Sequence, residues 1–291
     1  MDTLAFNNGQ KPSFIVGTRT GGQGKTLVSQ LIHYIFKGHG HPLRVMAADT
    51  AGDQGSETKS KLARFLDGED TVEELGIGVT LTSTLLDEQA GLAYWDRLGV
   101  ALQQGNVLVD VGANVLPSIW NWAVEIDAGP VFEKSPPIVL IIPVTAQAQS
   151  LVDAKDLIRL AETNRNFLPI SRYVIVFNEH EGTFEGLEDS SEYCDLMKLV
   201  AEHRAATVKL GRCRTSVWKN IQTNCISLGA MKDLEYPDYA SKFGLSSFMA
   251  SAARKNYWVW LNDAVVAFRE AGLVPSKMSQ IKQQTEYRVE A

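Results

Sequence analysis

The chain has 291 residues, 45% of them apolar, which is enough to bury the core of one large α/β domain or two small ones. Its net charge of -6 excludes a surface that is basic all round, so any nucleic-acid contact must come from a local patch. Three widely spaced cysteines (Cys194, Cys213, Cys225) suit a reducing cytoplasm; with no stretch near the roughly 18 apolar residues of a membrane span, neither a signal peptide nor a transmembrane helix is expected.

Short β-branched apolar runs recur, each followed by a stretch with helical spacing. The first, SFIVGT (13–18), predicts a strand. It leads through a glycine-rich turn to Leu27, Val28, Leu31, Ile32 and Ile35, whose three- and four-residue steps form one apolar helix face. Further strands are predicted over LRVMAAD (43–49), NVLVDVG (106–112), PIVLIIPV (137–144) and RYVIVFN (172–178). After the fourth run, Leu151, Leu157, Ile158 and Ala161 mark a second amphipathic helix. Residues 246–271, carrying Phe248, Trp258, Leu261, Val265 and Phe268, predict a long C-terminal helix that Gly272 caps. The alternation predicts an α/β fold with a mainly parallel, twisted sheet and helices on both faces. With no internal repeat and no low-complexity linker, a single domain over 13–275 is expected. A loosely held N-terminus (1–12) and a polar tail (276–291) flank it.

Two charged stretches stand out. Seven carboxylates and no Lys or Arg lie between Glu179 and Asp195, whereas residues 202–219 hold Arg204, Lys209, Arg212, Arg214 and Lys219 against Glu202 alone. Solvated faces are the ordinary reading of such runs. The alternative is a partner or DNA surface, to which Arg204, Lys209, Arg212 and Arg214 would contribute.

GTRTGGQGKT (17–26) lies directly after an apolar strand and directly before an amphipathic helix, the position a phosphate-binding loop must occupy. Glycines Gly21, Gly22 and Gly24, with Gln23 between them, let backbone N–H groups turn inward, and the helix N-terminus adds its positive dipole end. Lys25 would reach the β- and γ-phosphates of ATP, and the Thr26 hydroxyl would hold Mg²⁺. Carboxylates at neighbouring strand ends complete such a site. Asp110 ends the run NVLV and suits the metal shell, with Gly112 placed to offer its N–H to a γ-phosphate. Asp49 closes LRVMAA and opens the polar loop DTAGDQGSE, in the manner of a switch segment that senses phosphate and shares the metal. Asp49 or Asp53 could orient the attacking water, with Lys25 neutralising charge in the transition state.

These residues resemble the ParA/MinD group of deviant Walker-A ATPases, whose loop is usually Lys-Gly-Gly-x-Gly-Lys-Thr/Ser; TGGQGKT matches six of the seven positions. VMAADTAGDQG is similar to that family's first switch, VLVDVGAN to its second, and PVTAQAQSLVDAKDLI to its later strand–helix unit. VIVFNEHEG puts Asn178 where the family's adenine-contacting Asn lies, although ending a strand by turn chemistry explains an Asn equally simply. DVGAN and the long helical C-terminus look most like the divergent members of plasmids and conjugative elements. The resemblance implies a homodimer that sandwiches ATP, hydrolyses it slowly, and positions a plasmid, transfer complex or other cargo through a partner or adaptor protein. The chain departs from the family at Thr20, where the signature Lys reaches the partner's phosphates, at Ala51, which leaves Asp53 displaced by two, and in lacking the DxPP form. Arg19 is the cation nearest to Thr20 and is expected to take over the cross-subunit role. The tail SQIKQQTEYRVEA is too polar for a membrane-binding helix.

Two other readings stand beside the switch ATPase. One is a catalytically weak nucleotide-binding scaffold, which Thr20 and Ala51 favour. The other is a nucleotide-dependent metabolic enzyme on the same fold, for which no second set of convergent polar residues is found.

Overall fold

Period-two alternation of apolar residues decides which side of the sheet each element covers. In the computed structural model, residues 11–48, 59–75, 88–113 and 115–273 are described, with backbone alone at 88–94. The strands are β1 (Ser13–Val16), β2 (Arg44–Ala48), β3 (Val72–Glu74), β4 (Val107–Val111), β5 (Ile138–Val144), β6 (Arg172–Asn178) and β7 (Ala206–Leu210). They form one sheet of order β3-β2-β4-β1-β5-β6-β7, parallel at every pairing. The helices among the described residues are α1 (Lys25–Gly38), α2 (Lys61–Phe65), α3 (Glu88–Gln104), α4 (Leu116–Glu125), α5 (Gly129–Phe132), α6 (Ala148–Thr163), α7 (Ser191–Glu202), α8 (Trp218–Thr223), α9 (Leu228–Asp233), α10 (Tyr236–Phe243) and α11 (Ser247–Glu270).

Ile15, Val109, Leu140, Ile142, Ile175 and Phe177 pack with α3, α4, α6 and α7 on one face. Their sequence neighbours Phe14, Val16, Leu108, Ile141, Val174 and Val176 pack with α1 and α8–α11 on the other. Both faces are thus covered, as a parallel sheet requires. The five sequence-predicted strands and the parallel α/β architecture are found.

Two strands escape the sequence reading. β3 is a three-residue edge strand, and a bidentate ion pair fastens it to β2: Arg44 Nε and Nη2 donate to the Glu73 carboxylate at 2.6 and 2.7 Å, which holds the Glu73 carboxyl below its ordinary range. β7, ATVKL, is the opposite edge, with exposed Thr207 and Lys209 alternating with buried Val208 and Leu210.

The C-terminal helix runs over 247–270, and Gly272 follows it with φ +71°, donating its N–H to Arg269 O while Leu273 N–H donates to Phe268 O. Its buried stripe is Ala250, Ala253, Tyr257, Trp260, Leu261, Ala264 and Phe268. Phe248 is exposed because it falls on the opposite side of the first turn from Ala250.

Candidate functional site

β1 lies between β4 and β5, so the strand order reverses across it, and a crevice opens at the C-terminal ends of these strands. The loop Gly17–Gly24 joins β1 to α1 over this crevice. Gly22 and Gly24 take φ of +81° and +93°, a conformation costly for any residue with a Cβ. At Gly21 and Gly22 a Cβ would meet nothing within 4 Å, so the loop presents an open side.

Inside the loop, Lys25 Nζ donates to Thr18 Oγ1 at 3.1 Å and to the Thr20 carbonyl at 3.3 Å. The Thr18 hydroxyl also donates to the Thr20 carbonyl, at 2.6 Å. The ammonium is therefore curled within its own loop. At the first turn of α1, the Thr26 hydroxyl donates to Asp110 Oδ2 at 3.1 Å and the Ser29 hydroxyl to Asp110 Oδ1 at 2.9 Å. Asp110, 8% exposed, occupies an α1-facing position of β4, two residues on from Leu108, and this parity brings it under Thr26. Thr26 and Asp110 offer the hard oxygen donors that suit Mg²⁺. Ser29 was not anticipated, although its position three residues after Thr26 puts it on the same helix face.

Gln23 is the hub of the loop's underside. Only 6% exposed, it donates from Nε2 to Thr20 Oγ1 and the Gly21 carbonyl, each at 3.3 Å. Its Oε1 accepts from the Thr145 hydroxyl at 2.7 Å and from the Ser150 hydroxyl. Loop, β5 terminus and α6 are thereby joined through one amide. Asn178, ending β6 on the α1 side, donates from Nδ2 to the Gln23 carbonyl at 3.1 Å. It lies beneath the loop.

Three expectations meet a different geometry. The Gly112 N–H, expected to face a phosphate, donates to Ala48 O at 2.7 Å, because the ladder between β4 and β2 continues one residue past Val111, the end of β4. Arg19, expected to reach a partner subunit, forms an exposed ion pair with Asp156 of its own α6 at 3.2 Å. The basic run 202–219 is not one patch. Arg204 sits in the turn before β7, Arg212 and Arg214 follow its far end roughly 17 Å away, and Lys209 pairs with Glu179 at 3.0 Å. Asp49, Asp53, Ala51 and the tail 276–291 lie outside the described residues.

No protein-family model matches the chain, and no curated protein matches it. Solved structures that are similar include a MinC:MinD cell division protein complex of Aquifex aeolicus, 13% identical, covering 87% of this chain and 96% of that one with a TM-score of 0.44. A McdA–ATP complex of Cyanothece is 10% identical over 88% of this chain and 97% of its own, TM-score 0.43. A ParA family ATPase of Chlorobium tepidum is 15% identical over 88% and 99%, TM-score 0.44. The chemistry is therefore read from this chain's own residues.

Gln23→Ala deprives two buried hydroxyls of their acceptor and is expected to lower stability by about 1–3 kcal/mol. Urea unfolding measures this; an unchanged midpoint would show that the hub contributes nothing.

Proposed function

We propose that this chain is a P-loop ATPase of the ParA/MinD kind, binding Mg-ATP as a slow switch linked to dimerisation. The observation that carries the reading is the glycine loop with the Lys25 ammonium inside it, set beside the clasp of Thr26 and Asp110 at the end of the adjacent strand. In this reading Gly21, Gly22 and Gly24 turn N–H groups to the phosphates, Lys25 exchanges its loop oxygens for phosphate oxygens, and Thr26 with Asp110 holds Mg²⁺. Asp49 and Asp53 belong to a first switch that orients water. Partition of a plasmid or transfer complex, through an adaptor protein, is the use that the sequence resemblance favours.

A second reading, a scaffold that binds nucleotide within one subunit, is favoured by a specific observation. Thr20 is turned into its own loop, with its Oγ1 accepting from Gln23 and its carbonyl from Lys25, and Arg19 is held by Asp156. For Arg19 to act across a dimer it must leave an ion pair exposed on both sides, 46% and 38%, which is a weak restraint.

Lys25→Ala is expected to abolish ATP binding, and Asp110→Ala to remove its dependence on Mg²⁺, both measured by titration with and without the metal. Unchanged affinity in Lys25→Ala would place the site elsewhere. Mass in solution is expected to double with a non-hydrolysable ATP analogue and to stay monomeric with ADP. Arg19→Ala is expected to prevent that doubling; a dimer that forms regardless selects the scaffold with no cross-subunit arginine. Non-specific DNA contact, if made, narrows to Arg212 and Arg214 at one end of β7, and its affinity must fall steeply with salt. A salt-independent interaction would remove it.

A further inference from the structure

We propose that the outer face of α11 is a contact surface for a second copy of this chain, which lies across it antiparallel about Val259. The contact needs no bound nucleotide. Among the described residues, four of the exposed large apolar side chains lie on this helix: Phe248, Met249, Val259 and Val266. Phe248 is 88% exposed and Val259 51%. At about 100° per residue, Phe248, Ala252, Val259 and Val266 fall within roughly 40° of one another around the axis. They lie opposite the stripe of Ala253, Tyr257, Ala264 and Phe268 that packs on the sheet. Valine loses rotamer freedom in a helix, and a purely solvated face gives nothing back for Val259 and Val266. The helix itself is tied down. Trp260 Nε1 donates to Gly211 O just past the end of β7, and Arg172 Nη2 donates to Ala271 O from the start of β6, each at 2.8 Å. α11 therefore runs along the strands with its apolar stripe turned outward, on the side of the molecule and not in the loop crevice.

The sequence of this stripe is complementary to itself. Ala252 and Val266 are each seven residues from Val259, and Lys255 and Asp263 each four; all are exposed. In an antiparallel pair centred on Val259, the two copies of that valine meet at the two-fold axis and Ala252 packs on the partner's Val266. Lys255 reaches the partner's Asp263, and symmetry repeats the ion pair on the other side of the axis. At the ends, the aliphatic stem of Arg269 lies opposite the partner's Met249. A parallel pair would set lysine against lysine and aspartate against aspartate, so the charges select the direction. Within one helix Lys255 and Asp263 are roughly 12 Å apart along the axis, too far to pair with each other. Neither has an ion-pair partner among the described residues. With so few apolar side chains on each copy, the contact is weak, of the class that buries less than about 1,200 Å². It forms in concentrated solution, while the dilute chain without an ATP analogue stays monomeric.

Sedimentation equilibrium of the full, nucleotide-free chain over a wide range of concentration tests this. Wild type is expected to pass from monomer to dimer as concentration rises. Val259→Asp sets two carboxylates together at the two-fold axis and is expected to raise the dissociation constant by about tenfold or more. Lys255→Asp and Asp263→Lys each turn two attractions into two repulsions and are expected to raise it roughly three- to tenfold. The double variant Lys255→Asp/Asp263→Lys is expected to restore the wild-type value, because the pair is re-formed with its charges exchanged. A wild-type chain that stays monomeric at every concentration overturns the proposal. Dimerisation that Val259→Asp leaves unchanged also overturns it, since the contact then lies elsewhere. Single reversals that the double variant does not rescue overturn it too, because Lys255 and Asp263 then do not face each other. If Val259→Asp fails to fold, the charge reversals, both on exposed side chains, carry the same comparison.

Discussion

The hydroxyl clasp of Thr26 and Ser29 on Asp110 is the constraint on which the site depends. It fixes the first turn of α1 to the end of β4, and so decides where the helix N-terminus points. A carboxylate buried to this degree is tolerated when hydrogen-bonded and costly when not. Removing the two hydroxyls would take from Asp110 the two hydrogen bonds that tie it to the first turn of α1. The other loop contacts presuppose this registration, because Lys25 and Gln23 flank the same turn. Strand parity makes the clasp available at all: Leu108 faces α1, so Asp110 does too, whereas Val109 and Val111 face the opposite core.

Much of this was legible in the sequence. SFIVGT followed by GGQGKT and a 3.6-period face determines strand, loop and helix together, since period two gives way to helical spacing across a glycine cluster. Asp110 could be read because an acidic residue ending VLV has few structural reasons to be there. The long C-terminal helix was visible from its spaced aromatics, but apolar character alone does not tell a buried position such as Phe268 from an exposed one such as Phe248 near the helix start.

What stayed hidden depended on contacts distant in sequence. Thr145, Ser150 and Asp156 carry no local signal; they matter because β5 and α6 lie beside the loop, more than a hundred residues away along the chain. β7 was taken for part of a basic run because its exposed alternate positions, Thr207 and Lys209, are polar, as an edge strand's often are. β3 was too short to register as a pattern, and its place follows from Arg44 and Glu73, residues that only a paired sheet brings together. Asn178 was noticed for its position after a strand, yet the direction of its amide follows from where the loop passes.

The loop's web of internal bonds has a thermodynamic consequence. Thr18, Gln23, Lys25 and Asn178 already fix the backbone from Thr18 to Gly24 through the hydrogen bonds that they make in the free chain. An arriving anion therefore finds a niche whose chain entropy was surrendered on folding, and association has little ordering left to perform at that segment. The demand falls on exchange rather than on freezing: the Lys25 ammonium must release the loop oxygens of Thr18 and Thr20 and take up phosphate oxygens in their place. Recognition at this end of the molecule is thus a replacement of partners on a standing frame.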